Sequence, residues 1–367
     1  MRELIDGATA TVRGALAAGC DFFAGYPITP ATPILLQMMR AMPDIGGIAI
    51  QGEDEISSIG MCIGAAAAGR RAFTATSGPG LSLYSENIGL ALIAELPLVI
   101  VDVQRLGPST GGATTVGQGD VQFAHWGTGG GYPLIVLAPS SIVGCATVTM
   151  DAFALAHRHR CPVIVLSDKE LNLTRATVDM PDLASLWSDY DRQAPLAEIA
   201  PLVPFGAGQT VRFTGSTYGE GQRLTKDPVQ VEALNRRLIA KIEDHRAELE
   251  RVHLDLDSGA STLLVSFGSA AGALRRALQL ARADGHSISG AVVESLWPVP
   301  CGRLSEAAEG VTRIVVGELN PGLYVRELRC LFPNRDVVSL NRVDGGLLTP
   351  EQYLAAGLGE TLAGGVL

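Results

Sequence analysis

The chain has 367 residues, 47% of them hydrophobic and 18% charged, and a net charge of −10. That length suits two domains, or one domain with a smaller second one. The acidic balance excludes nucleic-acid partners held through their backbones, since phosphates need Lys/Arg-rich faces, and the longest apolar runs, such as "ALIAELPLVIVDV", are broken by Glu and Pro short of a membrane span.

The N-terminal stretch "MRELIDGATATVRGALAAGC" carries acids, does not read as a signal peptide, and is expected to be an amphipathic helix of a soluble cytoplasmic protein. Then "DFFAGY", "GGIAIQ", "RAFTATS", "PLVIVDVQ", "PLIVLAPS" and "CPVIVLSD" read as short buried strands. "EISSIGMCIGAAAAGRR" and "SLYSENIGLALIAE" between them read as helices. Such alternation predicts βαβ units and a largely parallel sheet. From about residue 190 to 230, Gly, Pro and Thr recur without period, which predicts a long connection with a short hairpin. A charged helix, "VQVEALNRRLIAKIEDHRAELERV", follows. "STLLVSFGS", "AAGALRRALQLARADG", "SISGAVVES" and "TRIVVGELN" then start a second α/β pattern. The expected division is 1–190, 191–255 for the connection with its helix, and 256–367 for the smaller domain.

The six cysteines include no C-x-x-C pair, so they read as buried free thiols rather than cluster or zinc ligands. "HRHR", with His157 and His159, reads as a solvated helix end. No G-x-x-x-x-G-K-[ST], G-x-G-x-x-G or G-x-S-x-G motif stands in a fitting context, which removes support for an ordinary kinase, dehydrogenase or hydrolase.

In open parallel sheets ligands bind beyond the carboxyl ends of the strands. That rule singles out Thr29 in "GYPITP", the acids Glu53, Asp54 and Glu55, the "SGPG" loop at 77–80, and Arg105 with Ser109 and Thr110. Each has a plainer reading. A threonine between prolines is a turn residue, Arg105 is an ion-pair partner, and an acid at a helix start serves the helix dipole. Three acids in a row exceed that need. Gly60, Gly64 and Ala68, one turn apart, read as a close-packing helix face.

Together, "GYPITPATPI", "QGEDEISSIGMCIGAAAAGRRAFTATSGPGLSLYSENIG", "LPLVIVDVQRLGPSTGG", "WGTGGGYPLIVLAPSS", "ESLWPVP", "VVGELNPGL" and "NRVDGGLLTPEQ" resemble the α subunit of 2-oxoacid:ferredoxin oxidoreductases, above all the 2-oxoglutarate type. The resemblance implies an α/β thiamine-diphosphate-binding fold: a pyrimidine-type domain followed by a smaller transketolase C-terminal-like domain. It implies coenzyme A-dependent oxidative decarboxylation of a 2-oxoacid, or the reverse, with electrons passed to ferredoxin. A β subunit would carry Mg²⁺, the diphosphate site and a [4Fe-4S] cluster, in an (αβ)₂ heterotetramer with the active site between subunits.

On the matching positions, Glu55 becomes the activator: a carboxyl bonded to N1′ of the aminopyrimidine favours the imino tautomer that removes the C2 proton. Tyr26, Pro27, Ile28, Ser77, Gly78 and Pro79 become cofactor contacts. Thr29, Arg105, Ser109 and Thr110 become substrate contacts, with Arg105 offering a planar fork to a carboxylate. "GQGD" at 117–120 lacks the asparagine of a magnesium motif, and "STYGEGQ" replaces a His-Asp-Glu-Gly run of many relatives. No fused γ-type domain is seen. The alternatives are a non-catalytic assembly subunit and a split-domain thiamine decarboxylase or synthase. Retention of Glu55, Thr29 and Arg105 speaks against the first, and cluster-binding cysteines in the partner would decide against the second.

Overall fold

A computed structural model describes residues 2–190, 195–197 and 199–360. The remaining positions, at the start of the expected connection and at both chain ends, lie outside the described residues. The first half contains strands β1 (Arg2–Asp6), β2 (Phe22–Gly25), β3 (Ile48–Gln51), β4 (Ala72–Thr76), β5 (Leu98–Gln104), β6 (Ile135–Leu137), β7 (Pro162–Asp168) and β8 (Arg175–Asp179). The C-terminal part adds β9 (Val252–Asp255), β10 (Thr262–Ser266), β11 (Ser289–Val293), β12 (Ser295–Trp297), β13 (Arg313–Glu318) and β14 (Asp336–Asn341).

Six strands form a parallel sheet in the order β3-β2-β4-β5-β7-β6. Val, Ile and Leu fill β5 and β7, which are buried along their whole lengths, as strands covered by helices on both faces must be. The chain leaves β2 toward β3 on one side and then crosses to β4 on the other. That reversal opens a crevice at the carboxyl ends of β2 and β4. Behind it, helix Gly7–Ala17 lies against helix Ile142–His159. The approach depends on Gly14, where a Cβ would stand 2.3 Å from the Ala146 carbonyl oxygen.

A second sheet has the order β14-β13-β10-β11-β9, parallel except for β9. The two sheets are not independent. After β11 the chain crosses over, and β12 pairs antiparallel with β6, closing the edge of the first sheet. Trp297 of β12 is buried, donates its indole N–H to the Val121 carbonyl, and packs edge-on against Tyr324, which does the same with Phe267. One apolar core therefore runs from Phe22 and Ile59 through Trp297 to Leu263 and Val316.

Several expectations are corrected. The N-terminus is not helical throughout: Arg2–Asp6 is a strand held by β8, and Asp6 caps helix Gly7–Ala17 by accepting from the Thr9 N–H. "SISGAVVES" splits, with Ser289–Val293 in one sheet and Ser295 already in the other. His159 is fully buried rather than solvated; its Nδ1 meets the Lys241 carbonyl at 2.9 Å, and burial pushes it down to about 4, so it is neutral. Of the cysteines, Cys330 is exposed and Cys301 partly so, while the other four are buried. No helix among the described residues is long and apolar enough to cross a membrane.

The helix Pro228–Glu243 is docked by a buried charge cluster. Glu95 accepts two bonds from Arg237 at 2.7 and 2.8 Å, one from Lys241 at 3.3 Å and one from the Tyr218 hydroxyl at 3.2 Å. Despite burial, these cations hold the Glu95 carboxyl below its usual range. Glu95→Ala would leave Lys241, itself 2% exposed, without its carboxylate. The expected cost is about 3–5 kcal/mol, read as a lower denaturant midpoint at unchanged slope.

Candidate active site

The three acids before helix Glu55–Ala67 divide the work. Glu53 is exposed. Asp54 is the N-cap, accepting from the Ser57 N–H at 2.7 Å, while Ser57 reaches back to the Asp54 N–H. The bond from Ser57 lowers the Asp54 carboxyl below its usual range. Glu55, the first helical residue, is 7% exposed and turns inward. It lies over the bare backbone of Gly80: a Cβ there would stand 2.8 Å from Glu55 Cγ, 2.9 Å from its Oε1 and 2.0 Å from Thr76 Oγ1. Gly80 thus creates the space that holds the carboxyl.

The "GYPITP" segment leaves β2 and is pinned through its carbonyls. Arg105 donates from Nη1 to the Thr29 oxygen at 2.5 Å, and Asn172 donates to the Pro30 oxygen at 2.9 Å. Thr29 itself is exposed, Tyr26 is 36% exposed, and Pro27 and Ile28 are half-buried. Arg105 is only 6% exposed and its Nε has no partner.

Arg105 also lines a cavity of about 570 Å³ between the two halves of the chain, with Gly78, Pro79, Ser109 and Asp120 on one side and Asn320 on the other. The structure thus brings together Thr29 with Arg105, Glu55 with the 77–80 loop, and Ser109 with the cavity wall. Thr110 stays exposed on its loop, outside the cavity lining. The face bearing Gly60, Gly64 and Ala68 is exposed, and added Cβ atoms at Gly60 and Gly64 would meet nothing within 4 Å. Close packing within the chain does not explain it.

Sequence reading passed over Asp102 and weighed Asp120 only as the aspartate of the incomplete magnesium motif "GQGD". Asp102 is fully buried in β5, paired in register with Thr76; two positions along the strand Gln104 accepts from the Asp120 N–H at 3.1 Å, which brings the Asp120 carboxyl beside that of Asp102. Burial and then the neighbouring Asp120 push Asp102 well above the usual carboxylate range; burial raises Asp120 to about 6. The available signal was a lone acid inside "LVIVDVQ". Gln118 fixes this corner, donating to Asp168 Oδ2 at 3.0 Å and accepting from the Leu319 N–H at 3.1 Å. Among the described residues, nearly half of the buried side-chain polar atoms without partners gather at this rim: Thr76 Oγ1, Ser77 Oγ, both Asp102 oxygens, Arg105 Nε and Asp120 Oδ2. Native interiors rarely leave such groups unmatched away from functional sites.

Comparison with known proteins fits this geometry. Residues 13–234 match the family model described as pyruvate flavodoxin/ferredoxin oxidoreductase, thiamine diphosphate-binding, and residues 260–353 match pyruvate:ferredoxin oxidoreductase core domain II. Fold and family models define the class, a thiamine-diphosphate-binding α/β oxidoreductase subunit. The 2-oxoglutarate synthase subunit KorA of Methanothermobacter marburgensis is 38% identical over 362 residues, covering 95% of this chain and 96% of that one. A 2-oxoglutarate:ferredoxin oxidoreductase structure from Magnetococcus marinus, with 2-oxoglutarate, coenzyme A and succinyl-CoA bound, superposes with a TM-score of 0.89 at 30% identity, covering 97% of this chain and 64% of that one. A split-gene transketolase, an inactive β4 tetramer, shares the fold alone, with a TM-score of 0.58 at 13% identity over 97% of both chains. The chain belongs to the 2-oxoacid:ferredoxin oxidoreductase family.

Proposed function

We propose that the chain is the α subunit of a 2-oxoglutarate:ferredoxin oxidoreductase, converting the 2-oxoacid and coenzyme A to the acyl-CoA and CO₂, or the reverse. The observation that carries this is the buried Glu55 carboxyl seated on Gly80 at the sheet's crevice, in a chain 38% identical to a 2-oxoglutarate synthase subunit. The residues present fit thiamine diphosphate: an inward carboxylate, the partnerless Thr76 and Ser77 hydroxyls, and a loop whose Gly78 and Gly80 leave the backbone bare.

In this reading Glu55 would hold N1′ of the aminopyrimidine and keep a proton at that atom. Ser77, Gly78 and Pro79, with Tyr26, Pro27 and Ile28, would border the ring. Thr29 and Arg105 would orient the 2-oxoacid's carboxylate, with Ser109 and Thr110 on the adjoining loop. The cofactor, when bound, supplies the electron sink that decarboxylation needs. The bond from Arg105 to the Thr29 carbonyl supports this pairing, because it fixes the guanidinium and the threonine relative to each other.

A β subunit would supply Mg²⁺, the diphosphate site and the [4Fe-4S] cluster that passes electrons to ferredoxin, in an (αβ)₂ heterotetramer of the cytoplasm. The open strip of Ile56, Gly60, Gly64 and Ala68, with Leu83 47% exposed on the next helical segment, supports a close-packing partner there. The pyrimidine-type domain is assigned to 1–190 and the transketolase C-terminal-like domain to 256–367, with 191–255 connecting them.

The test is reconstitution. The chain together with its β subunit is expected to reduce a viologen dye with 2-oxoglutarate and coenzyme A, and neither subunit alone to do so. Pyruvate, branched-chain and aromatic 2-oxoacids should give lower kcat/KM. Activity of the isolated chain, or a preference for pyruvate, would overturn the proposal.

A further inference from the structure

We infer that Asp102 and Asp120 form a carboxyl pair holding a single proton, which serves as the counter-charge of Arg105 and takes up a second proton when an anionic substrate binds to that arginine. This rests on the proposed reading of Arg105 as a carboxylate-binding residue, and makes Asp120 a positioning residue that acts through Arg105.

Neither oxygen of Asp102 has a well-formed hydrogen bond; its polar neighbours are the Gly78 N–H and the carboxyl of Asp120, whose own N–H is held at 3.1 Å by Gln104, two positions along the same strand. Two ionised carboxylates in contact away from water repel too strongly to coexist, so one proton stays between them. Asp120 is the member on the cavity wall, its Oδ2 lying over the backbone of Gly78. Arg105 lines the same cavity, spends one nitrogen on the Thr29 carbonyl, keeps Nε free, and forms no ion pair within 4 Å among the described residues. A buried guanidinium still needs a counter-charge, and it acts favourably on both Asp102 and Asp120.

Few other charges face Asp120. Helix Gly78–Leu83 and the segment Leu319–Leu323 carry none. Its own helix, Val121–Trp126, contributes His125, which burial holds at about 4 and neutral. Glu55 lies behind Gly80, and Asp168 is covered by Gln118.

The pair with one proton carries one negative charge, which balances Arg105. A substrate carboxylate on the guanidinium leaves the cluster with an excess negative charge in a dry site, and the added repulsion favours protonation of Asp120. At neutral pH that group is ionised and able to accept a proton, since burial places it at about 6. By linkage, affinity for the anion should fall by up to about tenfold per pH unit between roughly pH 6 and pH 8. A site without proton uptake would show no such slope, because a 2-oxoacid is fully ionised throughout that range.

The experiment is calorimetric titration of the assembled complex with 2-hydroxyglutarate, which carries the carboxylate and cannot decarboxylate, in buffers of different ionisation enthalpy. The wild type is expected to take up close to one proton per ligand near pH 7.5. Asp120→Asn should take up none and show a flat affinity profile. Asp102→Asn should keep the uptake, because its amide takes the place of the protonated Asp102 in donating to an ionised Asp120 that can still accept a proton; loss of uptake in this variant would overturn the inference, and retained uptake assigns the proton to Asp120 even if the first variant fails to fold. Both should melt at or above the wild-type temperature at pH 8, since a carboxyl whose folded pKa is raised costs stability above that pKa. A lower melting temperature in both variants would mark the pair as a structural bond and overturn the inference. If Arg105→Ala weakens binding at least tenfold while the wild type takes up no proton, the reading of Arg105 stands and the inference falls. If Arg105→Ala leaves affinity unchanged, the reading of Arg105 fails and takes the inference with it.

Discussion

Glu55→Gln is expected to lower turnover of the reconstituted complex by about 100- to 10,000-fold while leaving fold and assembly unchanged. Glutamine has the size of glutamate, so it fits the space that the absence of a side chain at Gly80 leaves for Glu55. What it lacks is the ability to hold and release a proton. The melting temperature should match wild type, and C2 proton exchange of bound thiamine diphosphate, followed by NMR in D₂O, should slow in parallel with kcat. Exchange at the wild-type rate would show that another group activates the cofactor. Gly80→Ala should imitate the loss by a different route, because its methyl would collide with Thr76 Oγ1 and push the Glu55 side chain out of its seat.

Gly64→Arg is expected to abolish assembly with the β subunit while leaving the isolated chain folded. Nothing lies within 4 Å of an added Cβ at Gly64 or Gly60, and replacing glycine inside an exposed helix gains up to about 1 kcal/mol of helix stability. Two glycines one turn apart on an open face therefore make little sense for the subunit by itself. They make sense if another backbone comes close. Overpacking such a contact by about 3 kcal/mol corresponds to about a hundredfold in Kd. Size-exclusion chromatography of the mixed subunits reads the loss, and circular dichroism of the variant alone checks its fold. Normal assembly by Gly64→Arg would place the partner elsewhere.

The parallel sheet was legible because its signal is local. Strands such as "PLVIVDVQ" and "CPVIVLSD" are apolar throughout, and short helical runs separate them. The N-terminal strand was not legible, because "RELID" is held by pairing with Arg175–Asp179, far along the chain, and not by its own pattern. The same holds for Ser295–Trp297, whose partner strand is more than 150 residues earlier.

Within the site, sequence alone left three adjacent acids with one plain explanation between them. The structure divides them: Asp54 satisfies the helix end, Glu53 faces solvent, and Glu55 turns inward. The resemblance had already pointed to Glu55. Asp102 escaped notice because the period of a buried strand gives no warning that one of its inward positions is a carboxyl. Its meaning depends on Asp120, which approaches from a loop 18 positions later. His159 misled for a related reason, since the carbonyl that accepts it belongs to a helix which the local sequence does not reveal.

The closure of the first sheet by β12 bears on how the protein is made. Synthesis proceeds from the N-terminus, and domains generally fold as units in that order. Here strand β6, residues 135–137, has no outer neighbour until residue 297 has emerged from the ribosome. For about half the time of translation the nascent chain carries an unpaired edge, the kind of surface that recruits other strands. A chaperone that shields the edge during that interval, or slow pairing with a neighbouring nascent chain, would then govern yield more than the stability of the finished fold.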